Sequence, residues 1–511
     1  MLLIHPPVSK PSEPPPGLAR LAFALKSNGV GCRVWDANLE GLLYLLERPV
    51  AASDTWSRRA AAHVTENLSA LRSPTICENL DRYKRAVMDI NRVVHKSGRK
   101  TGSHITLANY GDARFSPVRS KDLLRAARAF DENPFYPFFR YRLTELIDGS
   151  PPEIIGFSVN FMSQAVCAFA MAGFVKKHWP DIQIIMGGGL VTSWLNIKKF
   201  DNPFYPVVDD LIGGPGEDVL LSITGHTDTQ AVSQAGFDYA DFPLDAYFSP
   251  GRVIPYMTSR GCYWQKCRFC PEKFEGTKYQ VFDKPSIGFD LDRLRLETSP
   301  ALIHFVDNAL SPAFLNYIVN HPPGVRWYGF VRVTRHLTDP DFVHGLKNSG
   351  CAMLKLGIES GVQDVLDSLN KGISIETVSR ALRTIRAAGI AVYGYLLFGT
   401  PAETFEKARQ TLAFTLAHAD CIDFLNLAIF NLPVGSPDAE HLQTVDFYPG
   451  DLSLYREFVH PTGWDRSRVR RFLEKEFKRP APIREIIKRD PPFFTSNHAP
   501  FFTSRQARQA R

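Results

Sequence analysis

Cys262, Cys267 and Cys270 sit in the run Ser-Arg-Gly-Cys-Tyr-Trp-Gln-Lys-Cys-Arg-Phe-Cys-Pro, and no cysteine or histidine follows between residues 271 and 287. Three thiolates can hold three irons of a 4Fe-4S cluster and leave the fourth iron open. A metal centre with a vacant position is built for chemistry, whereas one with every position filled is built for stability. The open iron can take an amine and a carboxylate from a small molecule. A structural zinc knuckle would need a further Cys or His at short spacing, which the residues after Cys270 do not supply. Three buried thiols, or a zinc or nucleic-acid binding module, are the competing readings. The other five cysteines (Cys32, Cys77, Cys167, Cys351 and Cys421) lie far apart in sequence and read as core packing.

The elements that must position this triad follow from the totals. At 511 residues the chain exceeds one ordinary core. Its apolar share of 44% is that of a globular protein. No run reaches the ~18 apolar residues of a membrane span, and no basic segment precedes an apolar one at the start. The expectation is a cytoplasmic protein without a membrane partner. The net charge of +7 is modest, with basic residues densest at 466–471 and 475–489. A solvated helix face accounts for them better than a nucleic-acid partner does.

Leu2-Leu3-Ile4, a Pro-rich loop, apolar residues at helical spacing over 18–25 and then residues 31–36 predict strand, helix, strand. Residues 43–141 interrupt this with mostly polar helix and loop, which reads as an insertion. The alternation resumes with strands at 154–159, 182–186 and 210–212 around a helix at 163–178. Gly187, Gly188, Gly189, Gly213 and Gly216 follow the later strands, and Ser158 ends the earlier one. In an open α/β sheet ligands sit outside the carboxyl ends of the strands, where glycines let the backbone approach a large cofactor; tight turns alone would also explain them. A linker is expected at 226–250. A second alternating unit predicts strands at 254–258, 302–306, 327–331, 353–358, 392–398 and 424–429, a parallel, barrel-like sheet with its chemistry at the strands' carboxyl ends. The three cysteines fall just after its first strand. Past residue 432 the pattern loosens, apart from helical character at 467–478.

With these residues in place, the stretch 251–430 resembles a radical S-adenosylmethionine (SAM) core, and 1–225 is similar to the cobalamin-binding domain that precedes it in one large subclass. The resemblance implies an α/β chain: a doubly wound, flavodoxin-like sheet followed by a partial (β/α)6 TIM-like barrel and a C-terminal region at 431–511. It implies that the thiolates hold the cluster, that SAM chelates the free iron, and that one electron cleaves SAM to a 5'-deoxyadenosyl radical. Phe269 is then expected against the adenine. The commonest family pattern has three residues between the first two cysteines; here there are four.

Further segments carry the same resemblance. Asp307 and Asn308 stand where many members have a Gly-Gly-Glu motif that meets the SAM amino group, although helix capping would also explain a carboxylate there. Glu359 and Ser360, in Leu-Gly-Ile-Glu-Ser-Gly, are candidates for the ribose hydroxyls or the amino group, and an unpaired buried carboxylate would cost several kcal/mol. Gly399 belongs to the fifth-strand motif by the adenine, with Glu403 one residue later than the simplest pattern. Arg332 could pair with the SAM carboxylate or with a neighbouring strand. The Asp-x-His-x-x-Gly cobalt-ligand motif is absent, so His5 reads as a strand-end residue, as is usual in this subclass. Ser158 and the five glycines are the cobalamin-side candidates.

The resulting expectation is a cobalamin-dependent methyltransferase acting at an unactivated carbon or phosphorus centre. Its cofactors would be a 4Fe-4S cluster, SAM and cobalamin. Its partners would be a small-molecule or peptide substrate and an electron donor such as flavodoxin or ferredoxin. A rearrangement or cyclisation without methyl transfer is the alternative enzyme.

Overall fold

The runs Leu2–Ile4 and Ile154–Ser158 are buried at every residue. Unbroken apolar strands of this kind belong to parallel sheets covered on both faces. In the computed structural model, which describes residues 1–50, 54–98, 102–198, 201–226 and 235–494, they lie side by side. β1 (Leu2–Ile4), β2 (Arg33–Trp35), β3 (Ile154–Ser158), β4 (Gln183–Gly187) and β5 (Asp210–Leu211) form one sheet. Their order is β2-β1-β3-β4-β5, and every neighbouring pair is parallel. This is the flavodoxin-like order, whose switch point lies between β1 and β3.

These strands belong to a unit comprising Met1–Val253 with Tyr448–Leu454 and Pro492–Phe494. The inserted region is more than polar helix and loop. Its long helix Leu80–Gly98 buries Tyr83, Val87, Ile90, Val93 and Val94, giving the insertion an apolar face that its charged residues obscure in the sequence. A second insertion helix, Ser120–Arg128, explains why the crossover helix after β3 has no polar side. That crossover (Met162–His178) is buried continuously from Ser163 to Val175. A Cβ at its Gly173 would fall 1.9 Å from the Ala127 carbonyl oxygen, so glycine is what lets the two backbones touch. Residues 227–234 of the expected linker and the polar terminus 495–511 lie outside the described residues.

The second unit comprises Ile254–Phe447 and Tyr455–Pro491. Its strands are β6 (Val253–Tyr256), β7 (Leu302–Phe305), β8 (Trp327–Val331), β9 (Cys351–Glu359), β10 (Ala391–Phe398) and β11 (Phe424–Ile429). They pair in strict chain order, and each pair from β7 to β11 is parallel. Helices between them start on side-chain caps: Ser311 accepts from Phe314 N, Asp339 from Phe342 N, Ser374 from Thr377 N and Thr404 from Lys407 N. Each such cap is worth about 1 kcal/mol and fixes where the loop after a strand ends.

In the first unit Arg20 on the helix Pro16–Ser27 meets Glu217 at 3.0 Å, both side chains being 2% exposed. Removing one member of such a pair leaves the other charge buried. Glu217→Leu is expected to destabilise the protein by about 3–5 kcal/mol, read as a lowered urea midpoint.

Candidate metal and cofactor site

The root of the cysteine loop is held by one carboxylate. Thr258 donates through N and Oγ1, and Ser259 through Oγ, to Asp307 at 2.7–3.2 Å. Asp307 is 4% exposed; burial pushes its carboxyl above the usual range while these donors pull it back. The structure therefore corrects the expectation for Asp307. Its carboxylate is turned to the chain entering the loop and spent there, not offered to a SAM amino group. Asn308, beside it, is exposed and bonds Glu272, two residues beyond Cys270. Ser259–Arg260 then pairs antiparallel with Gln280–Val281, which closes the loop at its base.

Within the loop the fourth spacer residue has a specific accommodation. Gln265 takes φ 49° and its Nε2 donates to Thr277 O at 3.0 Å. Trp264 turns to the segment 369–372: its Nε1 donates to Asn370 O at 3.0 Å, and its ring fills the space a Cβ at Gly372 would need. Arg268 N donates to Leu369 O at 3.0 Å and its guanidinium meets Asp438. The three thiols are free and half-buried. Cys270 lies within electrostatic reach of both Cys262 and Cys267, and burial raises its thiol to about 11. Burial also raises Cys267, against the pull of Lys371 and Arg332. Among the described residues no three Cys, His, Asp or Glu side chains are gathered tightly enough for a single metal ion. The donor set fits a cluster that takes one thiolate per iron.

Glu359, the last residue of β9, adopts φ 62° and is 8% exposed. Its Oε1 lies 2.7 Å from Lys371 Nζ, a buried ion pair lying over Gly357, where a Cβ would come within 2.7 Å of both groups. Lys371 also stands 5.5 Å from the Phe269 ring. Phe269 packs on Leu397, Phe430 and Leu432, beside the end of β10 and Gly399. Arg332, 7% exposed, donates to the Lys371 carbonyl and lies 3.9 Å over the Trp264 ring. Cys267, Phe269, Arg332, Glu359 and Lys371 thus share one neighbourhood. Lys371 and Trp264 were not singled out in the sequence, because a lysine in a helix-ending turn and a spacer tryptophan carry no signal of their own.

Ser360 does not belong to this group. It is fully buried, with its hydroxyl 3.1 Å from Thr411 Oγ1 and accepting from Val362 N, so no ribose can reach it. Glu403 precedes the N-cap Thr404 of the helix Phe405–Ala417. It is fully buried, with Oε2 accepting from Gly399 N at 2.5 Å and Trp464 Nε1 at 2.9 Å. Among the described residues its Oε1 has no partner, and burial pushes the carboxyl up to about 7.

In the first unit the carboxyl-end loops are tied to one another. Asn160 donates to Ser158 Oγ at 3.1 Å and accepts from Gly189 N at 3.0 Å. Gly188 has φ 104°, and a Cβ there would meet Val159 O at 2.6 Å. A Cβ at Gly213 would press on Leu195 at 3.1 Å, whereas at Gly187 and Gly216 it would meet Ile212 and Leu21 only at 3.4 Å, an ordinary contact. His5 is buried, its Nε2 2.8 Å from Ser9 Oγ, and burial lowers its affinity for a proton. It directly follows β1, the strand-end position the sequence predicts, and the structure adds that it is held inside.

No protein-family model matches the chain. It is 22% identical over 313 residues to an uncharacterised methyltransferase of Pyrococcus horikoshii, covering 53% of this chain and 66% of that protein. It is 29% identical over 170 residues to the cytidylyl-2-hydroxyethylphosphonate methyltransferase of Streptomyces wedmorensis (31% and 32% covered). It is also 25% identical over 166 residues to the anaerobic magnesium-protoporphyrin IX monomethyl ester cyclase of Rubrivivax gelatinosus (31% and 30%). Each match spans less than two thirds of the relative's length. Among solved structures, the radical SAM methyltransferase TsrM of Kitasatospora setae, with tryptophan and a SAM analogue bound, superposes with TM-score 0.58 at 16% identity, covering 100% of this chain and 99% of that one. The cobalamin-dependent SAM radical enzyme OxsB with aqua-cobalamin gives 0.52 at 16% identity (66% and 60%).

Glu403 makes the site region pH-sensitive. Below its ordinary value of 4.5 the carboxyl is neutral whether the chain is folded or not. Between there and about 7 only the unfolded chain ionises, so stability falls as pH rises. The loss is about 3 kcal/mol. Urea midpoints measured from pH 5 to 8 should show this slope in the parent and a flatter one in Glu403→Gln.

Proposed function

We propose that this chain, whose fold is that of cobalamin-dependent radical SAM methyltransferases, is itself such an enzyme, transferring a methyl group to an unactivated carbon or phosphorus centre of a small molecule. The observation that carries the reading is the cysteine triad on an irregular loop leaving the carboxyl end of the first of six sequentially ordered strands. In this reading the six strands form a partial (β/α)6 barrel spanning 251–430, preceded by a cobalamin-binding domain at 1–225.

Cys262, Cys267 and Cys270 would hold the 4Fe-4S cluster, with Phe269 against the adenine of SAM and the Gly399 turn beside it. Asn308 and the Glu359–Lys371 pair face the amino group and ribose. Ser158, Gly187, Gly188, Gly189, Gly213 and Gly216 line the cobalamin side. When bound, the cluster supplies an electron to SAM and cobalamin carries the methyl group. The chain's own part is to orient these groups and keep water out. Lys371 pairs with Glu359 at 2.7 Å, so neither side chain is left without a partner at this buried strand end. A flavodoxin or ferredoxin would deliver the electron, and the cytoplasm is the setting we assign. Among the described residues no helix is long and apolar enough to cross a membrane.

The similarity to the anaerobic cyclase supports a second reading, a rearrangement or cyclisation that uses the same cluster. Product mass separates the two, because methylation adds one methylene and a rearrangement adds none. Replacing any of Cys262, Cys267 or Cys270 by Ala should abolish both the brown chromophore of the anaerobically reconstituted protein and the cleavage of SAM to 5'-deoxyadenosine. Retention of both in any of the three variants would end the proposal.

A further inference from the structure

Arg332 is a guanidinium carried into the interior, at 7% exposure, and among the described residues no carboxylate is paired with it. Its guanidinium donates to the carbonyls of Lys371 and Gly372 and interacts with the Tyr263 hydroxyl, all neutral groups, and among the described residues its buried Nε has no acceptor. It lies against the cysteine loop, with Cζ 3.9 Å from the ring centre of Trp264 and 5.9 Å from that of Tyr263, two of the four residues between Cys262 and Cys267. The neighbouring buried cation differs, since Lys371 has Glu359. A buried charge is costly unless an anion answers it. Here the anion must come from what the loop binds. A 4Fe-4S core on three thiolates carries one net negative charge when oxidised and two when reduced, and such charge is among the levers that set cluster potential.

Resting on the functional reading above, we infer that Arg332 is the fixed counter-cation of the cluster: it favours the reduced form and sets the potential at which the protein accepts its electron. Arg332 is thus a positioning and tuning residue, acting before SAM arrives. The Trp264 ring holds the guanidinium in place, and the two carbonyls leave its charge unneutralised.

The test uses full-length protein reconstituted anaerobically with iron and sulfide, without SAM, in a redox titration followed by electron paramagnetic resonance. Arg332→Gln and Arg332→Met should load iron and sulfide as the parent does. At potentials where only a small fraction of the parent cluster is reduced, their reduced fraction should be about ten-fold lower, about 59 mV for a one-electron couple. Arg332→Lys, which keeps the charge, should titrate with the parent. Neutral variants that titrate with the parent overturn the inference, and if they have lost affinity for SAM, Arg332 is a partner of the SAM carboxylate only. If neither neutral variant holds a cluster and Arg332→Lys does, the charge itself is what the loaded loop requires, which supports the inference. Failure of Arg332→Lys as well assigns the residue a purely steric role and overturns it. A parent protein that binds no cluster defeats the functional reading instead.

Discussion

A loop that must aim three side chains at one object cannot be a regular strand or helix, and so cannot satisfy its own backbone. The segment from Ser259 to Thr277 meets this constraint by borrowing partners. Asp307 takes both the amide and the hydroxyl of Thr258 together with the Ser259 hydroxyl. Leu369 and Asn370 supply carbonyls to Arg268 N and Trp264 Nε1. The shape of the loop is therefore decided at the ends of other strands, and the carboxylate after β7 matters more for where the thiols stand than for anything it could touch itself.

The same borrowing shapes the electrostatics. Holding Glu359 in the left-handed region costs on the order of 1–3 kcal/mol, a strain that folded proteins retain where the surroundings over-determine it. Here the determinants are visible: Lys371 pulls the carboxylate over Gly357, and only glycine leaves room for the pair. Two cations from different elements then converge on the cysteine loop, one neutralised by Glu359 and one not. Both cations act electrostatically on Cys267 from buried positions.

The loosely patterned C-terminal residues are part of the same construction. Trp464 donates to Glu403, and His460 Nε2 meets the Thr400 carbonyl at 2.9 Å while its Nδ1 accepts from Thr462 N at 3.2 Å. Both contacts seal the turn after β10, whose Gly399 amide is bound by the other face of the same carboxylate oxygen. A turn pinned at Gly399, Thr400 and Glu403 gives the strand end beside Phe269 a fixed form.

The sequence by itself determined the parallel α/β character, the positions of both sets of strands and the cysteine triad, because unbroken apolar runs, turn glycines and thiol spacing are local signals. It also made His5 a strand-end residue, through the absence of the motif that would have made it a ligand. Only the tertiary structure decided which polar groups are spent internally. Asp307 and Ser360 sit in motifs whose spacing points to a ligand, yet their oxygens are consumed by Thr258, Ser259 and Thr411, partners about fifty residues away in the chain. Trp264 is the converse, silent in sequence and central in space. The physical reason is common to both: a side chain's chemistry depends on which donors, acceptors and charges surround it once burial removes water, and those neighbours are brought together by strand order rather than by sequence distance.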